Sequence, residues 1–179
     1  MKNNQKGFTL IELLVVISII GLLASVVLVS LNSARARARD ARRISDIHQI
    51  QLALESYRTT HGVYPLSGGG YRAGVSPPND SWSVSNDPSG ATTWATLSTL
   101  LNTSLPTDPK QVPATGKDDW LNITGSYSYS YFGHCSGKNY MLVWQTEVAK
   151  VDSPGVTCGA FYNYKNTSFP NIVTIGPPY

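Results

Sequence analysis

The sequence predicts an α+β chain: a long N-terminal α-helix, with a membrane-spanning half and an amphipathic half, packed on a small antiparallel β-sheet head. Three observations carry that expectation. Residues 8–31 read FTLIELLVVISIIGLLASVVLVSL, an apolar run whose one charge is Glu12. Residues 32–61 continue without a proline and with apolar residues at helical spacing. After Gly62 the chain turns to Gly, Pro, Ser and Asn, broken by short alternating or apolar runs.

The apolar run comes first. As a helix, residues 8–31 extend about 36 Å, enough to cross a hydrocarbon core of about 30 Å with some tilt. A cleavable secretory signal is the nearest rival, but its apolar region is only about 7–15 residues and ends at a small-residue cleavage site. Here the run passes that length and continues into charged helical sequence. Glu12 has a local explanation: Thr9, Leu10, Ile11 and Glu12 fit a capping box, with Thr9 as N-cap, Glu12 at the third helical position, and Phe8 and Leu13 as the hydrophobic staple.

In residues 32–62, Ile44, Ile47, Ile50, Leu54 and Tyr57 recur at steps of three and four, which sets them on one face for packing on a head. Gly62 serves as C-cap and Pro65 as a stop signal. Arg35, Arg37, Arg39, Arg42 and Arg43 cluster just after the apolar run. Without interleaved aromatics they are a weak nucleic-acid stripe, so they read as a solvated helix face, with Asp46 four residues after Arg42. They also make the C-terminal flank of the span more basic than the N-terminal one, which on the positive-inside rule alone would put the head in the cytoplasm.

The head, residues 63–179, opens with a long loop over 65–91. TTWATLSTLL at 92–101 suits a short helix. SYSYSYF alternates, placing Tyr127, Tyr129 and Tyr131 on one face of a strand, while YMLVWQTEV at 140–148 reads as a more buried neighbour and NIVTI at 171–175 as a further strand. Three or four antiparallel strands laid on the amphipathic half-helix would complete the core.

Taken whole, KGFTLIELLVVISIIGLLA resembles the N-terminus of type IV prepilins and of the related pseudopilins of type II secretion, which carry a class III signal. HGVYP at 61–65 and LPTDP at 105–109 are similar to family junctions before the sheet. The resemblance implies a pilin-like fold and a leader, residues 1–7, whose charges are Lys2 and Lys6. A prepilin peptidase would cut between Gly7 and Phe8, Phe8 would be N-methylated, and Glu12 would serve assembly. It further implies a helical homopolymer built by a pilus or secretion platform in the membrane. The precursor would sit in the cytoplasmic membrane among lipid, single-pass with its head outside. The product would be an extracellular pilus or a periplasmic pseudopilus. Two departures stand out. Many members carry a proline where this chain has Val29. Major pseudopilins often hold calcium in a loop after the LPxDP phrase, for which Asp108, Asp118 and Asp119 offer oxygens; the usual tryptophan and glycine are replaced by Lys110 and Gln111.

Two cysteines, Cys135 and Cys158, in a chain with an export signal favour a disulfide, which would contribute roughly 3 kcal/mol in the chain-entropy model. Enzyme chemistry is not expected. GHCSG at 133–137 has nucleophile-elbow spacing, but no histidine follows His134 to act as base. His48, His61 and His134 form no metal spacing. A net charge of +3, falling to +1 without Lys2 and Lys6, does not indicate nucleic acid. The alternative to a filament subunit is a membrane-anchored monomeric extracellular domain that binds a ligand, which would keep its leader and not depend on Glu12.

Overall fold

A computed structural model describes residues 8–67, 83–85, 94–111, 127–158, 160–162 and 171–178. The chain divides into two compact units, Met1–Ala38 and Arg39–Tyr179. One helix, α1, runs Leu10–His61.

In the first unit α1 starts where the capping residues place it, directly after Thr9. Its apolar side chains are open on every face: Phe8 is 84% exposed, and Leu10, Ile17, Leu22 and Val26 lie between 60% and 80%. No isolated water-soluble helix gains by displaying such a surface, so it requires an apolar surrounding. Two hydroxyls in the run are satisfied within the helix. Ser18 Oγ and Ser25 Oγ donate to the carbonyls of Leu14 and Leu22, both at 2.7 Å. That back-bonding lets serine enter a hydrocarbon medium without an orphaned donor. α1 is long and apolar enough to cross a membrane.

The second unit is an α+β head. Ile47, Ile50 and Leu54 of α1 are buried at 2%, 0% and 0%. Ile44, expected on the same face, is 37% exposed, and Tyr57 is half-buried. The helix ends at Gly62, whose φ of +75° is the left-handed conformation a C-cap glycine supplies; its N–H donates to the Arg58 carbonyl at 2.8 Å.

Four strands form an antiparallel sheet in the order β1 (Ser83–Val84), β2 (Ser130–His134), β3 (Asn139–Gln145) and β6 (Ile172–Ile175). β4 (Val156–Cys158) and β5 (Ala160–Tyr162) make a separate hairpin. β2 and β3 are joined by a 3-10 turn, Cys135–Gly137, in which all three residues have positive φ. Period-two alternation then divides the side chains. Tyr129, Tyr131, Tyr140, Leu142 and Trp144 join Ile47, Ile50 and Leu54 in one core, with Trp94 and Leu97 of α2 (Trp94–Leu100). Phe132, Met141 and Val143 join Val84, Val156 and Ile172 in a second cluster. β3 is therefore apolar at almost every position because both its faces are covered.

The short helix expected from TTWATLSTLL and the strands expected from YMLVWQTEV and NIVTI are present. The strand expected over SYSYSYF begins only at Ser130, so Tyr131 alone of its three tyrosines lies in β2; Tyr129 shares the core, and Tyr127 sits in an isolated bridge to Gln111. β1 is a correction: Ser83–Val84 lies inside the stretch expected to be loop, pairing Ser83 with Tyr131 and Val84 with Ser130. Two residues of a Gly/Pro/Ser-rich segment carry no strand signal of their own and are recruited by the edge of β2.

Candidate functional site

Two features concentrate the chemistry, one in each unit. At the start of α1, the Thr9 N–H and hydroxyl donate to Glu12 Oε2 at 2.8 and 2.6 Å, and the Glu12 N–H donates to Thr9 Oγ1 at 3.3 Å. This is the reciprocal capping box. It holds the Glu12 carboxylate at the first turn, one turn from Phe8. Both Thr9 donors fall on Oε2, and among the described residues no cation pairs with Glu12. Gly7 and the rest of the leader lie outside the described residues.

The second feature overturns the reading of the arginine run as a solvated face at Arg39 and Arg43, while Arg35, Arg37 and Arg42 are exposed as expected. Arg43 is wholly buried. Its Nε and Nη2 donate to Oδ2 and Oδ1 of Asp108 at 2.7 and 3.0 Å. Its Nη1 donates to Asp40 Oδ1 at 2.6 Å and to Glu147 Oε1 at 2.9 Å. Arg39 forks onto Glu147, both contacts at 2.6 Å, and Lys110 Nζ reaches Glu147 Oε2 at 3.3 Å. Arg39, Arg43 and Lys110 thus face Asp40, Asp108 and Glu147 with no formal surplus of charge. The Tyr127 ring closes one side, its centroid 4.4 Å from Arg43 Cζ and 4.5 Å from Lys110 Nζ. Burying one guanidinium is tolerable only with this degree of pairing.

Asp40 has a second task. It accepts from the N–H groups of Glu147, Val148 and Ala149, at 2.8 to 3.1 Å, and so caps the bend after β3. Burial works against its ionisation, but those donors and Arg43 outweigh it, and its pKa is lowered. Glu147 is held down to about 2, chiefly by Arg39, against burial and with help from Arg43 and Lys110. Arg43 stays charged: burial opposes this, and Asp108, Glu147 and Asp40 more than offset it. Of the remaining arginines, Arg42 is 3.7 Å from Asp46, with its side chain largely in solvent. A buried tyrosine, Tyr129, donates to the same oxygen, Asp46 Oδ2, at 2.8 Å, and its hydroxyl pKa is raised by burial and by Asp46.

Asp108 does not fit the calcium expectation. Both its oxygens are taken by Arg43, and Oδ1 also accepts the Lys110 N–H at 2.8 Å. A cation in that place would displace the guanidinium that the site is built around. Asp118 and Asp119 lie outside the described residues. Among the described residues no group of three or more potential ligands is arranged to hold a metal. Cys135 is disulfide-bonded; the side chain of Cys158, like that of His134, lies outside the description.

Comparison with known proteins bears on the N-terminal feature. The model of the prokaryotic N-terminal methylation motif matches residues 2–28, a span that includes Gly7, Phe8 and Glu12. The chain is 37% identical over 87 residues to type II secretion system core protein G of Klebsiella pneumoniae, covering 49% of this chain and 62% of that protein. It is 42% identical over 81 residues to type IV major pilin protein PilE1 of Neisseria gonorrhoeae, covering 45% and 48%. The chain carries this methylation motif and is similar, over somewhat under half its length, to both pseudopilins and a type IV pilin. Another core protein G, from Aeromonas hydrophila, is 39% identical over 77 residues, covering 43% of this chain and 54% of the relative. The chain spans about half the length of the curated relatives it matches. No solved structure matches it. The buried ionic cluster was missed at the sequence level although a signal existed: Arg43 lies four residues before Ile47 and so continues the buried face.

Proposed function

We propose that this chain is a structural subunit, without enzymatic activity, of a type IV pilus-like filament. It is made as a precursor in the cytoplasmic membrane with residues 8–31 as the span and residues 63–179 as an exterior head. A prepilin peptidase cuts after Gly7, the new amine on Phe8 is methylated, and an assembly platform adds the subunit to a helical polymer of identical chains. The single observation that supports this best is the first half of α1. Its exposed surface is apolar apart from a few hydroxyls, and it begins at a carboxylate that has hydrogen-bond donors and, among the described residues, no counter-charge.

The cut supplies that counter-charge. It leaves an ammonium on Phe8 within one helical turn of Glu12, in the same subunit or a neighbour. A carboxylate at the centre of a membrane helix costs about 2.5–3.5 kcal/mol on insertion scales, and pairing it offsets that cost. A paired charge in an otherwise uniform apolar bundle also fixes register, as single buried polar groups do in coiled coils. In the head, Cys158 is the one other cysteine of the chain, so the bridge of Cys135 is proposed to be Cys135–Cys158.

Intact mass and N-terminal peptide analysis of protein from native membranes and from sheared surface fractions tests the reading. It expects a peptide beginning at N-methylated Phe8. Sheared filaments whose subunits retain residues 1–7 would sink it.

A further inference from the structure

The arginine run separates into two groups once its partners are known. Arg39 and Arg43 are consumed by carboxylates of the head, and Arg42 lies near Asp46. Arg35 and Arg37, both in the first unit, are exposed, and among the described residues no carboxylate pairs with either. They follow the last residue of the apolar run, Leu31, by about 6 and 9 Å along the helix axis.

Four physical facts converge on one ligand. Helical side chains lean toward the N-terminus, so both arginines lean back toward the apolar run. A long arginine side chain can lay its stem on apolar surface and bring its guanidinium to the level where hydrocarbon gives way to headgroups. Two residues apart is about 200° around a helix, so the pair reaches opposite sides of α1. A guanidinium binds a phosphate oxygen pair through two parallel N–H donors.

We propose that Arg35 and Arg37 form a collar that binds the phosphates of anionic phospholipid at the head-side end of the span. The collar holds the precursor at a fixed depth until it is extracted into the polymer. Extraction must then break these phosphate contacts as well as withdraw the apolar helix. The inference rests on reading residues 8–31 as a membrane segment.

The test reconstitutes the full chain in vesicles of phosphatidylcholine with a minor fraction of spin-labelled phosphatidylglycerol or spin-labelled phosphatidylcholine, and reads the motionally restricted lipid at the protein surface. Wild type should prefer phosphatidylglycerol. Each arginine near an anionic surface changes association roughly five-fold, so R35Q/R37Q should lose most of that preference. R35K/R37K should keep part of it, and K138Q/K150Q, with the same change in charge on the head, all of it. An undiminished preference in R35Q/R37Q overturns the collar, and more so if that variant instead loses self-association, which would assign the arginines to a second copy of the chain. A wild type that stays embedded after carbonate washing but shows no preference overturns the collar alone. A wild type that carbonate strips from the vesicles overturns the membrane reading and the collar with it.

Discussion

Arg43 and Asp108, sixty-five residues apart in sequence, meet through two parallel hydrogen bonds of 2.7 and 3.0 Å with neither side chain exposed to solvent. This pair and its neighbours Asp40 and Glu147 tie α1 to the segment after Leu105 and to the end of β3. Removing one partner of such a group leaves charge buried without compensation, which costs about 3–5 kcal/mol. Arg43→Ala should therefore lower stability by about that amount, read as the loss of near-ultraviolet circular dichroism from the tyrosine and tryptophan core in the detergent-solubilised chain. Arg43→Lys keeps the charge but not the fork, and its loss should be smaller yet measurable.

The same cluster predicts an acid limit. The Glu147 pKa is depressed to about 2 in the fold, against 4.5 for the free side chain. The unfolded chain therefore binds the proton first as pH falls, and the stabilisation, on the order of 3 kcal/mol, is complete above about pH 4.5 and is lost between there and about pH 2. Asp40, whose pKa is also lowered, acts in the same direction. Melting temperature against pH should fall over that window in wild type and fall less in Glu147→Gln, which starts from a lower plateau.

The helix was readable from sequence in length, start and end, because apolar composition, Thr9 and Gly62 are local signals. Its buried face was readable to within one position. Asp40, Arg43, Ile47, Ile50 and Leu54 are buried at steps of three and four, while hydropathy places the first contact at Ile44, which also lies three before Ile47. A charged residue counts as outside in any such scheme, so the true start of the face was hidden. Its partners Asp108 and Glu147 were beyond reach for another reason. Nothing in either local sequence states that the two loops come to the same side of α1, and only the folded sheet brings them there.

That phase can be checked on the helix. Leu54 is fully buried and Leu52 is 71% exposed, two residues away. Leu54→Ala should cost about 2–5 kcal/mol through lost burial and the cavity it leaves. Leu52→Ala should stay within about 0.5 kcal/mol. Equal effects in chemical denaturation would contradict the orientation of α1 on its sheet.

Gly133, in β2, is required by its neighbours rather than by its backbone angles. A Cβ there would overlap the Pro65 carbonyl oxygen and press on the backbone at Ser67. The Gly133 N–H donates to Ser67 Oγ at 3.0 Å, which holds the chain leaving α1 close against β2. Gly133→Ala must push that segment away, and overpacking of this kind costs about 1–3 kcal/mol. The expected result is a lowered midpoint of unfolding, with new cleavage between Gly62 and Ser67 in limited proteolysis.

Glu12 admits a sharper test than simple removal, because the capping box and the charge partner make different demands on it. Glutamine can accept from the Thr9 N–H as glutamate does, so Glu12→Gln preserves the helix start and deletes the charge. Glu12→Ala deletes both, with a loss of cap of about 0.5–2 kcal/mol confined to the first turn. Neither change adds charge to the apolar run, so both variants should insert in the membrane as wild type does, measured by carbonate-resistant fractionation. If the carboxylate serves assembly by pairing with the Phe8 ammonium, both should fail to yield sheared filaments. If it serves only to start the helix, Glu12→Gln should assemble and Glu12→Ala should assemble poorly. Filament yield from the glutamine variant therefore separates a role in helix geometry from a role in recognition between subunits.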